Sequence, residues 1–382
     1  MKIHGILFSF FLCLSLFITS TVGAASKKLE AYFIPNVYSV GESSDKLLAR
    51  PGVREAIVGA LKDKIRLMSS AGKLPFALKS EKINLSNTRE DFSDNMAIGL
   101  LPLMMLDSSF TSEYYVESQK FYKAIITSSL SLAICSAEPE LKGWRILAIV
   151  PMNGYRIIGD ANEPKRTPIT ASEEADVFIS LNRAMINDQL DFSKTAKFLK
   201  DWQTKSLIPN TYQVTAVDMS SKGAKEVFGG AKDGEVKSII GNFFTAEYAR
   251  KTGKVMYPPL ISENYAKTVG DGLRAFTWHS PSGAVEMTFS EPKHKIRLDF
   301  SGIASQEFQR KDESDARKDI IYKAWLKGSI DNGEALTLDK FTSRIYPGKA
   351  NASVFKYDEK DIYTEIMLSL PVTMAQKLSK GK

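Results

Sequence analysis

The sequence predicts an α+β fold built from two strand-rich antiparallel halves with packed helices, and three observations carry that expectation. Alternating apolar and polar residues concentrate in two regions, 96–158 and 285–370. The helical patterns fall in separate blocks, with no regular strand-helix alternation of the kind a parallel sheet requires. The carboxy-terminal half also echoes the amino-terminal half: strand, helix, a glycine-lysine pair, then an apolar piece with proline. Ile57-Val58-Gly59 lies over Ile239-Ile240-Gly241, and Gly72-Lys73-Leu74 over Gly253-Lys254-Val255. A diverged internal duplication would explain both halves.

Leu29 to Pro35 reads as a buried strand. Pro51 suits the first turn of a helix whose inward face repeats at a four-residue spacing through Val53, Ile57, Leu61 and Ile65, until Gly72 and Pro75 stop it. Ser80 to Asp94 is polar and reads as loop. Met96 to Leu106 is apolar almost throughout, as a strand covered on both faces would be. Phe121 to Cys135 alternates, with Tyr122, Ala124, Ile126, Leu130, Leu132 and Ile134 on one face and Lys123, Thr127, Ser129 and Ser131 on the other. Trp144 to Val150 returns, and Asn153-Gly154 offers a tight turn before Tyr155 to Ile158. Thr170 with Glu173 has the form of a capping box, ahead of a stripe formed by Val177, Phe178, Leu181, Ala184 and Met185. A second helix runs from about Ser193 to Lys205. Tyr212 to Val217 alternates as a strand, and Asp233-Gly234 opens a helix that Gly253 ends. Val285, Met287 and Phe289 then pair through Ser290–His294 with Ile296, Leu298 and Phe300, and the strand pattern recurs at Ile320–Leu326 and Ile362–Leu370. Arg310–Lys318 and Tyr346–Asp361 read as exposed connections.

Lys2 leads into the apolar run Ile6 to Ile18 and a small-residue end at Val22-Gly23-Ala24-Ala25, the pattern of a secretory signal peptide over residues 1–25. The expected division is therefore leader, a domain over 26–165, a helical connector over 166–208 and a second domain over 209–382. Once the leader is removed Cys135 is the sole thiol, so no intramolecular disulfide is expected and the core carries the stability. The balance of 51 basic and 44 acidic residues, +7, is mild and dispersed. Outside the cytoplasm such a field points to an anionic envelope surface before nucleic acid, and no stable membrane span is expected after the leader.

The sharpest catalytic words are Ser70-Ala-Gly-Lys73, Ser93-Asp94-Asn95 and Lys251-Thr252-Gly253, in the order used by the penicillin-recognising serine enzymes, which they resemble. The resemblance implies Ser70 as nucleophile, Lys73 as its proton acceptor, Ser93 and Asn95 as the second element, and Lys251 with Gly253 as a strand edge beside the substrate. In that family the nucleophile begins a buried helix, whereas Ser70 ends one, and only 23 positions separate Ser70 from Ser93. Metal and thiol chemistry are poorly supplied, with His279, His294 and Cys135 dispersed along the chain. No cofactor is expected. Tyr114, Tyr115 and Trp278 are candidate binding rings, able to stack on sugar or clasp a peptide if exposed. The expectation is an exported, periplasmic or secreted, non-catalytic accessory protein that binds a protein or an anionic envelope component through sheet edges and loops. A soluble small-ligand receptor would require a closed cleft between the halves; a serine acyl hydrolase is the remaining alternative.

Overall fold

The computed structural model describes residues 29–39, 47–79, 97–116, 119–138, 143–160, 163–205, 210–228, 233–261, 267–269, 273–281, 283–309, 318–346 and 359–380. The expected leader, the loop at Ser80–Asp94 and most of the two connections at 310–318 and 346–361 lie outside them.

The α+β expectation holds, and the echo between the halves is a shared topology. The first half begins with β1 (Glu30–Phe33), short β2 (Tyr38–Ser39), helix α1 (Val53–Ser70) and β3 (Ala77–Lys79). β3 lies parallel beside β1, and the other edge of β1 lies parallel to β4 (Ile98–Val116). β4 opens an antiparallel meander with β5 (Gln119–Glu138) and β6 (Gly143–Ile158), followed by α2 (Ala171–Gln189) and α3 (Ala196–Lys205). In the second half come β7 (Thr211–Asp218), α4 (Lys222–Phe228), α5 (Asp233–Thr252) and β8 (Val255–Met256). β8 lies parallel beside β7, whose other edge lies parallel to β12 (His294–Gln309). β12 starts a second antiparallel meander with β13 (Lys318–Ile330) and β14 (Leu336–Tyr346), and α6 (Glu359–Lys380) follows. Each half is thus a strand-helix-strand unit, a three-stranded meander and a closing helix.

The halves join head to tail. β8 pairs antiparallel with β6 at Ile149–Met256, so one sheet runs β3-β1-β4-β5-β6-β8-β7-β12-β13-β14. Antiparallel docking reverses the second unit while keeping its strand order. With crossovers of the same hand in both units, as the right-handed rule expects, its helix comes to the opposite face. The cores follow that rule. α1 and α2 pack on Ile98, Leu100, Ile126, Leu130 and Val150, whereas α5 and α6 share a core with Leu101, Ile125, Ile149, Val214 and Phe300.

An insertion in the second half closes a ring. The hairpin β10 (Leu273–Ser280) and β11 (Gly283–Ser290), with β9 (Lys267–Val269) on the edge of β10, runs from β11 beside β6 to β10 beside β2, and β2 lies against β4. α5 then fills the angle between ring and second meander. Every residue from Ile239 to Tyr248 is buried, and Gly241 lets Val217 approach to 3.3 Å of where a Cβ would stand. A helix enclosed on all sides has no polar stripe.

Four details depart from the sequence reading. Asn153-Gly154 is not a turn; β6 runs through it without interruption. α2 lies close to this glycine: a Cβ would stand 2.9 Å from Leu181 Cδ1 and 3.0 Å from Met185 Sδ, so those side-chain ends would have to shift to admit one. The expected hairpin between Val285–Phe289 and Ile296–Phe300 does not form, since β11 pairs with β10 and β6 while β12 is held by β7 and β13. Ile362–Leu370 is helix, part of α6; Ile362, Ile366 and Leu370 stand four apart, a spacing that strand and helix periods share. The Lys123–Ser131 face of β5 is covered, not solvated: Thr127, Ser129 and Ser131 are buried, and Lys123 pairs with Glu365 of α6, which Arg344 of β14 also binds at 2.6 Å. The capping box at Thr170 and Glu173 is present as read, and Lys165 beside Glu173 helps hold that carboxyl at about 2.

Gly154→Ala is expected to cost about 1–3 kcal/mol through overpacking against α2. Gly159→Ala should cost more, about 3 kcal/mol or above, because its φ is +70° and a Cβ would stand 2.0 Å from the Tyr122 carbonyl oxygen. Urea unfolding of the two variants checks the ranking; equal midpoints would contradict it.

Candidate functional site

The site follows from unequal strand lengths. β6 is 16 residues long, and β5 pairs with one of its edges from end to end. The opposite edge is shared: β11 takes Trp144 and Arg145, and β8 takes Ile149. β8 is only two residues long. Gly253, in the left-handed region at φ +66°, turns the chain out of α5 just before it, and Pro258 and Pro259, which have no N–H to donate, follow just after. From Val150 onward no described strand lies on that edge.

A cavity of about 480 Å³ opens there. Val150, Pro151, Asn153 and Tyr155 of β6 form its floor, with Phe243, Ala246, Leu368 and Val372 of α5 and α6 on one wall and Asp188, Gln189, Asp191 and Lys194 on the other. A second cavity of about 540 Å³ continues along Arg156 to Gly159, bounded by Glu163–Lys165 and α2. The two follow β6 from the end of β8 to the end of the strand, the first at the junction between the halves and the second within the first half.

The edge inside this groove is guarded at its upper end. Pro151 has no N–H. At Asn153 the side chain of Gln189 behaves as a strand neighbour would: the Asn153 N–H donates to Gln189 Oε1 at 3.0 Å, and Gln189 Nε2 donates to the Asn153 carbonyl at 2.7 Å. Asn153 therefore turns both backbone groups away from β5, and alternation gives Tyr155 and Ile157 the same outward orientation. Tyr155 is 42% exposed.

Charge is arranged around an apolar interior. Glu247 is buried on α5 and receives Arg250 Nε at 2.8 Å, Arg250 Nη2 at 2.7 Å and Gln376 Nε2 at 2.7 Å. Arg250 itself is half exposed, leaving part of its guanidinium toward the cleft mouth. Lys194 donates to the Arg250 carbonyl, a cation placed at the negative end of α5. Lys254 lies over the Tyr212 ring, 5.7 Å from its centroid. Asp191 accepts from Ser193 N–H and Oγ on the opposite wall. Nearby, Tyr212 stacks on His294, whose Nδ1 lies 2.8 Å from Asp331 Oδ2. Burial, then neighbouring Tyr212 and Asp331, pushes Tyr248 up to about 12.

The residues singled out from the sequence are dispersed. Ser70 ends α1 and its hydroxyl donates to the Leu67 carbonyl at 2.9 Å, while Lys73 follows Gly72 and Lys251 sits in the last turn of α5. Ser93 and Asn95 lie outside the described residues. Tyr114 is buried, stacked on Phe121, and donates to the Gly159 carbonyl at 3.1 Å; Tyr115 is 37% exposed. Trp278 is fully buried inside the ring, so it offers no ring to a surface ligand. Cys135 is buried with its sulfur 4.0 Å from Met287 Sδ, and burial pushes its thiol well above the ordinary range. Among the described residues no group of three or more His, Cys, Asp or Glu side chains could hold a metal, and no helix is long and apolar enough to cross a membrane.

Sequence reasoning did not find Gln189 or Glu247. The available signal was a carboxylate three residues before Arg250 within the largely apolar run Ile239–Ala249.

No family model and no curated protein matches the chain. Among solved structures, a crystal structure of a minor lipoprotein from Acinetobacter baumannii aligns with 9% identity and a TM-score of 0.22, covering 46% of this chain and 96% of that one.

Arg250→Ala leaves Glu247 with Gln376 as its remaining side-chain partner, and is expected to cost about 1–3 kcal/mol, less than a fully enclosed pair would. In a Glu247→Gln background the same change should cost under about 1 kcal/mol. A double-mutant cycle read by urea unfolding checks the coupling; additive losses would contradict it.

Proposed function

We propose that the chain is an exported, non-catalytic binding protein, periplasmic or secreted, that holds a protein or an envelope component in the cleft between its two halves. One observation carries the reading: beyond β8 no described strand pairs with the outer edge of β6, which runs past the Gln189 guard along a largely apolar cavity at the junction of the halves. A strand edge left open inside a groove is a template for another chain. The mild positive charge suits an anionic envelope setting.

A small-ligand receptor is the second reading, favoured by a cavity of about 480 Å³, within the range of small-molecule sites. Both place the ligand at the same wall. With a photo-crosslinking phenylalanine derivative replacing Tyr155, irradiation in envelope extract is expected to yield a covalent adduct, and the same group at exposed Leu67 on α1 is not. No adduct at Tyr155, or equal adducts at both positions, counts against a binding cleft there. The hydrolase alternative is tested by a fluorescent penicillin: the account expects no adduct that Ser70→Ala abolishes, and a Ser70-dependent adduct would overturn the non-catalytic reading.

A further inference from the structure

We infer that the cleft takes an extended polypeptide segment that adds to the outer edge of β6 as a strand, antiparallel to it. This rests on the binding reading above and names the class of its ligand.

Three observations point to a peptide backbone. Gln189 already presents an amide to Asn153, donating one bond and accepting the other at 2.7 and 3.0 Å, which is the pairing a neighbouring strand would supply. The edge therefore holds amide chemistry in this state, contributed by a side chain standing in for a strand. Two and four residues further on, Tyr155 and Ile157 turn N–H and C=O outward, Tyr155 beside the first cavity and Ile157 beside the second, and no described residue bonds them there. Finally, the groove continues an existing interface: β8 pairs antiparallel with β6 at Ile149, and the groove begins where β8 leaves off. A segment on the line of β8 keeps its direction and its spacing from β6, with alternate side chains entering the apolar wall at Phe243, Ala246 and Leu368.

The direction sets a preference. A strand running as β8 does would travel from the Ile157 end toward Val150 and bring its carboxyl end to Arg250, Lys254 and Lys194. A free carboxylate or an acidic side chain there is complementary. Asp188 and Asp191 on the facing wall disfavour a uniformly acidic segment. Gln189 is then a place-holder: a ligand long enough to reach Asn153 displaces its amide, and a shorter one pairs at Tyr155 and Ile157 alone.

The test uses the full chain without its leader and a library of random linear peptides of about ten residues, long enough to span the open edge. Peptides retained by the chain are resynthesised with N-methyl groups on alternate backbone nitrogens. Methylation in one of the two phases is expected to weaken binding by about tenfold or more, because a methylated nitrogen cannot donate to the edge. The unmodified peptide should slow exchange of the Tyr155 and Ile157 amides. Gln189→Ala should tighten peptides that reach Asn153 by about tenfold. Tolerance of methylation in both phases without protection of the two amides would overturn the assignment, as would recovery of no peptide above a chain-free control. If peptides fail while the Tyr155 photo-adduct forms and is a lipid or glycan, the strand inference falls and the binding cleft stands. If the photo-adduct is absent too, both fall.

Discussion

Each stretch of a strand edge can pair with one neighbouring strand, and β6 is where that constraint organises the molecule. One edge is fully used by β5. The other is divided among the ring hairpin, the start of the second half and the cleft. Had β8 been as long as β6, the halves would have formed an uninterrupted sheet with no groove. On the side of the cleft it stops where the left-handed Gly253 turns the chain out of α5, so a local backbone fact sets where the opening begins.

The head-to-tail arrangement explains why the two halves look unlike despite a common plan. Reversing the second unit places α1 with α2 on one face of the sheet and α5 with α6 on the other. The first meander is consequently covered twice, by its own helices and by α5 of the other unit, which suits the apolar character of both faces of β4. α1 has solvent behind it and keeps a polar side. α5 has protein on all sides and does not. Within that enclosed helix Glu247 stands out as a buried carboxylate, held by Arg250 and Gln376 at the cleft wall.

Much of this was legible in the letters where one physical cause dominates. The four-residue spacing of α1, the capping box at Thr170, the glycine stops at Gly72 and Gly253 and the alternation of β5 and β7 are local signals, and the elements formed there. The echo between Gly72-Lys73-Leu74 and Gly253-Lys254-Val255 marked equivalent points in the two units. What was not legible depended on partners distant in sequence. Asn153-Gly154 has turn chemistry, yet the glycine answers to Leu181 and Met185 of α2. Ile362, Ile366 and Leu370 fit either period, and packing on α5 and β13 decides for helix. β11 and β12 are adjacent in sequence, but each is claimed by strands from elsewhere. The cleft itself was legible only as a condition, a space between the halves that a receptor would need; its guard, Gln189, depends on a contact with Asn153 across 36 positions.

Binding in the cleft depends on β6 keeping an open edge beyond Val150. Amide hydrogen exchange in the free protein tests it residue by residue. Slow exchange is expected at Gly154 and Arg156, whose N–H groups face β5, and fast exchange at Tyr155 and Ile157, with Asn153 intermediate because Gln189 holds it. Uniformly slow exchange from Val150 to Ile158 would mean that the edge is already paired and that no strand can add to it.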